Sequence, residues 1–448
     1  MTPLRRAVLA LALIAAPIPS LLVAQDTTRG VHLGLGYLPG TKVVLAVLRV
    51  AGPQGDSVQK MLQRDLDYGD RVDVRGQNPD DLPPVSGQPD FDLFAKLGIA
   101  GVVQTTVTPD GLNVHVWNIA TKSFNVLGIP LQGKPLSPEW RLSVHFASDQ
   151  IELWATGAPG ISATRIAFKR DGKLWTIDSD GANATLIPGT DGAMSPSWHP
   201  SGRYLTYNLL PIEGMASAIV VRDLVTGSVQ RIATAGRSGT YLTPVFSPDG
   251  GSLIYAYGLD QGTDLYLMDW AHPSSQPMRV TSTHTENTSP TFSPDGRRIA
   301  FTSGRLGPPQ VYIADADGSS ADPLTNSGFG EQSYRSNPAW SPDGRVIAIQ
   351  SRINGVFQIV TVSPGGGIET LLTNEGQNED PSWAPDGRHI VFKSNRTGSE
   401  QLWILDHESG RSRQLTHGSE SKLAAWSPPL MRQKPSDRPD SPRTGGKQ

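Results

Sequence analysis

The sequence of 448 residues contains no cysteine, which excludes disulfide bonds, thiolate metal ligands, cysteine nucleophiles and lipid attachment through cysteine. It also lacks a charge excess: the net charge of −3 gives no bulk attraction to nucleic acid or to an anionic membrane. There is no Gly-x-Ser-x-Gly elbow, no phosphate-binding loop and no His-Glu-x-x-His motif. We therefore predict a protein that is not an enzyme and holds neither a cofactor nor a metal ion.

Residues 1–24 have the pattern of an export signal. Arg5 and Arg6 precede an apolar run that starts at Ala7, and Ala24 is a plausible cleavage point before Gln25. The run is short and interrupted by proline, which favours a cleaved signal over the alternative of an uncleaved membrane anchor. We expect the mature protein in the periplasm, without direct insertion into a membrane.

Residues 25–40 are predicted to form an N-terminal arm. Between Val31 and Tyr37 apolar residues occupy every second position, which is the period of a strand, while Gly34 and Gly36 weaken any isolated strand. The arm could be an edge strand or a segment that pairs with another protein.

Residues 41–157 are predicted to form a small α/β domain. A continuous apolar run suits a buried strand, and Ser137 followed by Pro138 marks the start of the last helix. The other predicted elements are a helix that Gly69 ends, a short strand at 71–74, a short helix at 91–97, and a hairpin of strands 99–107 and 112–119.

A turn with the sequence Ser-Pro-Asp-Gly recurs along the rest of the chain. Its prolines, including those of two degenerate copies, are 48, 46, 48, 43 and 43 residues apart, and an aromatic residue precedes each copy. Proline sets φ for the second position of a turn, and glycine suits the last. Four short strands in each unit of about 45 residues are typical of a β-propeller blade.

The two ends of the repeat region predict how many blades there are. The segment from Thr164 to Ile187 holds strands two to four of a blade, and Leu423 to Ser427 supplies a lone first strand. Joined, they complete one blade, and five full blades lie between them. The sequence therefore predicts a six-bladed propeller over residues 158–428, closed by a blade that both ends share, and a disordered tail over residues 429–448.

The loops that lead into the first strand of each blade are the candidate binding site, because equivalent loops of a propeller meet at one mouth of its channel. They are polar, and they cover residues 239–243, 284–288, 334–337, 377–380 and 420–422. Two Asp-x-Asp-Gly segments, at Asp178 and Asp315, resemble calcium loops but lack the required glutamate, so we interpret both as turns between strands.

The order of signal, α/β domain and six-bladed propeller resembles the TolB family of the Tol-Pal envelope system. The similarity covers about Val31 to Ser427 and includes Leu97-Gly98-Ile99, Arg165-Ile166-Ala167-Phe168 and the closing Ala424-Ala425-Trp426-Ser427-Pro428. The resemblance implies a monomeric, non-enzymatic periplasmic protein that links a TolA-like protein to the Pal lipoprotein and supports outer-membrane integrity and constriction at cell division.

The resemblance also implies two sets of contact residues. The expected Pal-binding residues at the propeller mouth are Thr243, His284, Asn287, Thr288, Asn337, Glu379 and Asp380. The expected TolA-binding residues of the arm are Val31, His32, Leu33 and Leu35. The sequence departs from the family in the glycines of the arm, in the arm's lack of acidic residues and in the extra C-terminal tail. The alternative is an exported propeller that binds a peptide or carbohydrate and is related to peptidase propellers without a catalytic domain.

Overall fold

A computed structural model describes residues 41–76, 81–82, 85, 87–211, 216–232, 239–325 and 333–431. The predicted export signal and the predicted arm, with Val31, His32, Leu33 and Leu35, lie outside these residues. Within them the chain forms an α/β domain followed by a six-bladed β-propeller, so the predicted fold class is confirmed. None of the helices in the described ranges is long and apolar enough to cross a membrane.

The α/β domain is one five-stranded sheet with three helices. Its strands lie in the order β2-β1-β3-β4-β5, with β1 parallel to both β2 and β3 and the rest antiparallel. In chain order the elements are β1 Val43–Val47, α1 Gly55–Tyr68, β2 Val72–Arg75, α2 Phe91–Lys96, β3 Gly101–Thr108, β4 Gly111–Asn118, β5 Ser123–Ile129 and α3 Pro138–Thr156.

Two helices cover one face of this sheet and form the core of the domain. Val58, Leu62 and Leu66 of α1 and Val144 and Ile151 of α3 are fully buried against the strands, as their helical spacing requires. The predicted start of α3 is confirmed, because the Ser137 hydroxyl accepts the backbone N–H of Trp140 at 3.4 Å. Strand β5 was not predicted from the sequence.

The propeller consists of six four-stranded antiparallel sheets. Blade 1 is β9 Ala193–Trp198, β10 Tyr204–Leu209, β11 Ala218–Asp223 and β12 Val229–Ile232. Blade 2 is β13 Thr240–Phe246, β14 Ser252–Leu259, β15 Gly262–Asp269 and β16 Met278–Arg279. Blade 3 is β17 Asn287–Phe292, β18 Arg298–Ser303, β19 Gln310–Asp315 and β20 Asp322–Pro323. Blade 4 is β21 Arg335–Trp340, β22 Ile347–Ile353, β23 Val356–Val362 and β24 Thr370–Leu371. Blade 5 is β25 Asn378–Trp383, β26 His389–Ser394, β27 Gln401–Asp406 and β28 Ser412–Gln414.

Blade 6 is the shared blade that the sequence predicts. It consists of β29 Ser421–Trp426 from the C-terminal side and β6 Arg165–Arg170, β7 Lys173–Asp178 and β8 Thr185–Leu186 from the N-terminal side, in that order. The indole N–H of Trp426 donates to the Thr164 hydroxyl at 2.8 Å across the joint. Contacts continue past residue 428, since the backbone N–H of Leu430 donates to the Ala163 carbonyl at 3.0 Å.

The recurring turn joins the first and second strands of a blade. In blade 3 the Gly296 N–H donates to the Ser293 carbonyl at 2.8 Å, and the Ser293 hydroxyl donates to the Asp295 carboxylate at 2.6 Å and accepts the Arg298 N–H at 2.9 Å. Gly296 has a φ of 70°, which explains the glycine at the last position. The turn is therefore a closed hydrogen-bonded unit that shapes the backbone.

The fourth strands of blades 2 to 5 are short and end before a recurring pair, which is an aliphatic residue followed by threonine, at residues 280–281, 324–325, 372–373 and 415–416. In blade 3, Thr325 lies outside β20, and its hydroxyl accepts the Val311 N–H at 3.0 Å. The same bond occurs from Leu265 to Thr281 at 2.9 Å and from Leu402 to Thr416 at 2.9 Å. The threonine side chain thus replaces a backbone acceptor, so the chain leaves the sheet there without an unpaired N–H.

Candidate functional site

The two flat faces of the propeller have different roles. Because neighbouring strands are antiparallel, the turns from strand one to two and from three to four lie on one face, which we call the turn face. The α/β domain contacts that face: Arg71 bonds Asp386 in a strand 1–2 turn at 3.1 Å, and Arg411 in a strand 3–4 turn bonds Asp70 at 2.8 Å. The loops that lead into the first strands lie at the opposite end of the channel, which we call the mouth.

The first strand of every blade carries a β-bulge. In each case two successive cross-strand pairs are three residues apart on the first strand but only two residues apart on the second. In blade 3 these pairs are Thr288↔Thr302 and Thr291↔Ala300. One residue of each bulge has a positive φ; these residues are Ser195 (48°), Thr243 (44°), Ser289 (51°), Asn337 (50°), Asp380 (56°) and Leu423 (53°). The bulges thus place one residue per blade at the same level of the channel wall.

Four of these bulge residues are joined from blade to blade by hydrogen bonds. The Ser289 N–H donates to the Thr243 hydroxyl at 3.1 Å, and the Ser289 hydroxyl donates to the Asn337 side-chain oxygen at 2.8 Å. The Asn337 amide nitrogen then donates to the Asp380 carboxylate at 2.7 Å. The structure therefore brings together three of the residues named from the sequence, and Ser289 is the link that the sequence argument missed.

A pattern in the sequence could have identified Ser289. Five of the six bulge residues directly precede a proline, and in the sixth blade Leu423 precedes Ala424. Proline removes a backbone donor where the bulge interrupts the sheet. Aligning the blades on this proline, rather than on the turn, would have placed Ser289 with Thr243, Asn337 and Asp380.

The other predicted mouth residues fall into different environments. Thr288 is partly exposed one position before its bulge, and His284 is exposed on the loop that leads into blade 3. Asn287 has no exposed surface: its amide donates to the Thr283 hydroxyl at 2.7 Å and its oxygen accepts the Ser303 hydroxyl at 2.8 Å. Its side chain therefore holds the loop in place from inside the propeller.

Glu379 belongs to a chain of charged groups on the blade 5 side of the mouth. Lys393 lies between the Glu379 carboxylate at 3.1 Å and the Glu400 carboxylate at 3.0 Å, and Lys422 of blade 6 contacts Glu400 at 2.9 Å. Burial raises the pKa of the neighbouring Asp380 carboxyl, against the lowering effect of Lys393. The mouth thus combines the hydroxyl and amide groups of the bonded bulge residues on blades 2 to 4 with the ion pairs of Lys393 and Lys422 on blades 5 and 6.

Ion pairs between the two domains hold the α/β domain against the turn face. The buried Arg71 contacts Glu152 of α3 at 3.1 Å and Asp386 of the propeller at 3.1 Å. The Asp149 carboxylate of α3 accepts the backbone N–H groups of Ser162 at 2.7 Å and Ala163 at 2.9 Å. These bonds fix α3 to the start of the propeller and leave the mouth uncovered by the described part of the α/β domain.

His389 is a buried titratable residue at this interface, where it lies between two carboxylates. Its Nδ1 lies 2.7 Å from Asp386 and its Nε2 lies 3.3 Å from Asp70 of the α/β domain. Burial lowers the pKa of His389, but the two carboxylates outweigh burial and raise the pKa to about 9. The imidazole is therefore a cation in the folded protein at neutral pH.

We expect His389 to make stability depend on pH. Since its pKa is higher in the folded state than the ordinary value of 6.5, the stabilisation is complete below pH 6.5 and is lost as the pH rises through about 9. Chemical denaturation over this range should show a free energy of unfolding that falls with a slope of up to about 1.4 kcal/mol per pH unit. The slope should flatten in His389→Gln and persist in His417→Gln, which changes an exposed histidine; equal slopes in all three proteins would contradict the assignment.

A group of possible metal ligands also lies at this interface. The ligand atoms of Asp65, His145 and Asp180 lie within 4.8 Å of one another. However, His145 already bonds Asp65 at 2.7 Å, and Asp180 bonds the guanidinium groups of Arg64 and Arg141. Because two arginines already neutralise Asp180, we interpret the group as a salt-bridge cluster. The Asp178-Ser179-Asp180-Gly181 segment accordingly forms a strand 3–4 turn that faces the α/β domain.

Comparison with known proteins agrees with this architecture. A family model described as the TolB beta propeller domain matches residues 154–430. The Tol-Pal system protein TolB of Polaromonas sp. strain JS666 is 31% identical over 246 residues, which are 51% of this chain and 53% of that protein. The protein of the same name from Coxiella burnetii is 27% identical over 247 residues, which are 50% and 53% of the two chains. The chain thus spans about half the length of the curated relatives it matches.

Similarity to a solved structure extends further along the chain. The crystal structure of TolB from Acinetobacter baumannii aligns with a TM-score of 0.72 and 25% identity, covering 88% of this chain and 98% of that one. The alignment therefore includes most of the α/β domain as well as the propeller. With the family model matching more than half of its residues, the chain belongs to the TolB β-propeller family.

Proposed function

We propose that this protein is a non-enzymatic periplasmic component of the Tol-Pal system that binds a Pal-like lipoprotein at the propeller mouth. The observation that carries the proposal is the open, polar mouth on the face opposite the α/β domain. There Thr243, Asn337 and Asp380 join Ser289 in one hydrogen-bonded row, and Thr288 and Glu379 lie beside it. Bulges in a strand commonly re-aim side chains at functional sites.

The row supports binding better than catalysis. Its groups are hydroxyls, amides and a carboxyl, which bond one another and match the donors and acceptors of a protein surface. The described part of the mouth places no nucleophile beside a base in a geometry that would activate it. The role in outer-membrane integrity and cell constriction follows from membership in the Tol-Pal system and rests on this binding.

Capture from the cell envelope tests the proposal directly. The mature protein is immobilised and exposed to a detergent extract of envelopes from its own organism, and bound proteins are identified. Recovery of a Pal-like lipoprotein, and saturable binding of its purified soluble domain, support the proposal. Recovery of a sugar or an oligopeptide without the lipoprotein would instead support the alternative of a peptide- or carbohydrate-binding propeller.

The arm over residues 25–40 is the proposed contact for a TolA-like protein, with Val31, His32, Leu33 and Leu35 as the expected contact residues. Alternating segments of this kind can add a strand to an open sheet edge of a partner. Deleting residues 25–36 should abolish binding of the soluble TolA-like domain while leaving the thermal unfolding midpoint unchanged. Undiminished TolA binding by the deletion variant would place that contact elsewhere on the protein.

A further inference from the structure

One position of the second strand is bonded in three consecutive blades. It is the residue that pairs with the first-strand residue directly before the bulge residue, and it is Thr302 in blade 3, Gln350 in blade 4 and Lys393 in blade 5. In blade 3, the Thr302 hydroxyl accepts the backbone N–H of Asn337 in blade 4 at 3.1 Å. In blade 4, the Gln350 oxygen accepts the backbone N–H of Asp380 in blade 5 at 3.1 Å. In blade 5, Lys393 is paired with two glutamates. This position therefore faces the crevice towards the next blade, near the channel wall.

In blade 6 the same position is Lys169, but the residue paired with it has the same charge. Its cross-strand partner is Lys422, whereas the partner of Lys393 in blade 5 is Glu379. Directly paired side chains in a sheet lie about 5 Å apart, and like charges there are unfavourable. Burial lowers the pKa of the partly buried Lys169, and the charge of Lys422 lowers it further. Among the described residues, the Lys169 ammonium has neither an ion pair nor a hydrogen bond.

Blade 1 has an unsatisfied polar group at the equivalent position. Asn208 is fully buried, and neither its side-chain oxygen nor its side-chain nitrogen has a hydrogen-bond partner among the described residues. A buried amide without partners is destabilising, so such groups usually bond a water or a ligand. Among the described residues, the polar side chain at this position thus has no bonding partner in blades 6 and 1, whereas it is hydrogen-bonded or ion-paired in blades 3 to 5.

We propose that the lipoprotein partner inserts an acidic side chain on the blade 6 and blade 1 side of the mouth, where its carboxylate pairs with Lys169. The inference rests on the proposed function and adds the chemistry of the contact. The structure favours an acidic group because Lys169 and Lys422 pair across the strands, and in the described part of the chain Lys422 has an acid, Glu400, whereas Lys169 has none. The carboxylate would neutralise Lys169 as Glu379 neutralises Lys393, but it would come from the partner, because Lys422 occupies the position equivalent to Glu379.

Two substitutions at Lys169 test this contact. Lys169→Gln removes the charge, and Lys169→Glu sets a carboxylate opposite Lys422, which copies the Glu379–Lys393 pair of blade 5 with the strands exchanged. Since Lys169→Glu replaces a like-charge pair with an opposite-charge pair, the variant should be at least as stable to heat as the wild type. We expect the Kd for the soluble lipoprotein domain to rise about 10-fold in Lys169→Gln and further in Lys169→Glu.

The matched control is Lys134→Glu, which makes the same charge change at an exposed loop of the α/β domain and should leave the Kd unchanged. Each acidic residue of the lipoprotein is then changed to its amide. One of these changes should weaken binding to the wild type and have no effect on binding to Lys169→Gln, as a double-mutant cycle requires for a direct contact. The effect of Lys169→Gln should also shrink as the salt concentration rises.

The outcomes separate this inference from the proposed function. If the wild type binds the lipoprotein but Lys169→Glu binds equally well and no acidic residue of the lipoprotein couples to Lys169, the inference is wrong and the mouth proposal stands. A small free anion is another source of the same charge. If acetate raises the thermal midpoint of the wild type but not of Lys169→Gln, and no lipoprotein acid couples to Lys169, the site binds a free anion and the inference is again wrong. Absence of wild-type binding would overturn the proposed function itself.

Discussion

Replacing Thr288 with tryptophan is expected to weaken binding of the soluble lipoprotein domain by about 100-fold or more, which is about 2.7 kcal/mol. Thr288 is partly exposed at the mouth and precedes the bulge of blade 3 by one position. An indole there would fill the space through which a partner segment reaches Ser289 and Asn337. Titration calorimetry of the two purified proteins measures the effect.

The control for this prediction is Thr185→Trp. Thr185 also lies in a propeller strand, but in the exposed outer strand β8, away from the mouth. Both variants should have circular dichroism spectra like that of the wild type. If Thr288→Trp keeps the wild-type affinity while folded, the lipoprotein does not bind at this part of the mouth.

Replacing Arg71 with methionine is expected to lower the free energy of unfolding by about 3–5 kcal/mol. The side chain of Arg71 is 6% exposed and contacts two carboxylates, Glu152 and Asp386, that are 1% and 0% exposed. Removing the guanidinium leaves Glu152 buried without a counter-charge and leaves Asp386 with His389 alone, which costs more than the ion pairs themselves contribute. Urea denaturation followed by fluorescence measures the change.

Arg75→Met is the matched control, because Arg75 is in the same segment but is 59% exposed, and its one ion pair within the described ranges is with Asp73, which is 40% exposed. Exposed pairs of this kind contribute about 0–1 kcal/mol. Adding Glu152→Gln to Arg71→Met should restore part of the stability, because burial already raises the pKa of Glu152 to about 7. Equal losses in Arg71→Met and Arg75→Met would show that the interdomain ion pairs do not stabilise the protein.

Local turn chemistry made the propeller predictable. The Ser-Pro-Asp-Gly turn bonds within itself, so its sequence specifies its geometry wherever it occurs. The blade count followed from matching the lone strand at the C-terminal end with the incomplete blade after Thr164, and the sheet order confirms it. Strand β5 was missed because its apolar residues change face: Phe124 and Val126 are exposed, whereas Leu127 and Ile129 are buried, so the sequence does not keep the apolar alternation of a strand.

The candidate site was less accessible to sequence reasoning because its contacts join distant residues. The repeat identified the loop positions, but it did not show which of their residues are buried. Asn287 is buried inside the propeller, whereas Thr288 next to it is partly exposed at the mouth. Pairs such as Arg71 and Asp386 are 315 residues apart and belong to different domains. The like-charge pair of Lys169 and Lys422 became visible only when the strand register aligned blade 6 with blade 5.

The most direct test of the central claim is hydrogen–deuterium exchange of the protein with and without the soluble lipoprotein domain. The account predicts slower exchange at the mouth in the complex, over residues 240–243, 284–288, 335–337, 378–380 and 421–423. Exchange at the turn face, including residues 293–297 and 341–345, should not change. Protection confined to the turn face or to the α/β domain, with no change at the mouth, would contradict the claim that the partner binds in the channel opening.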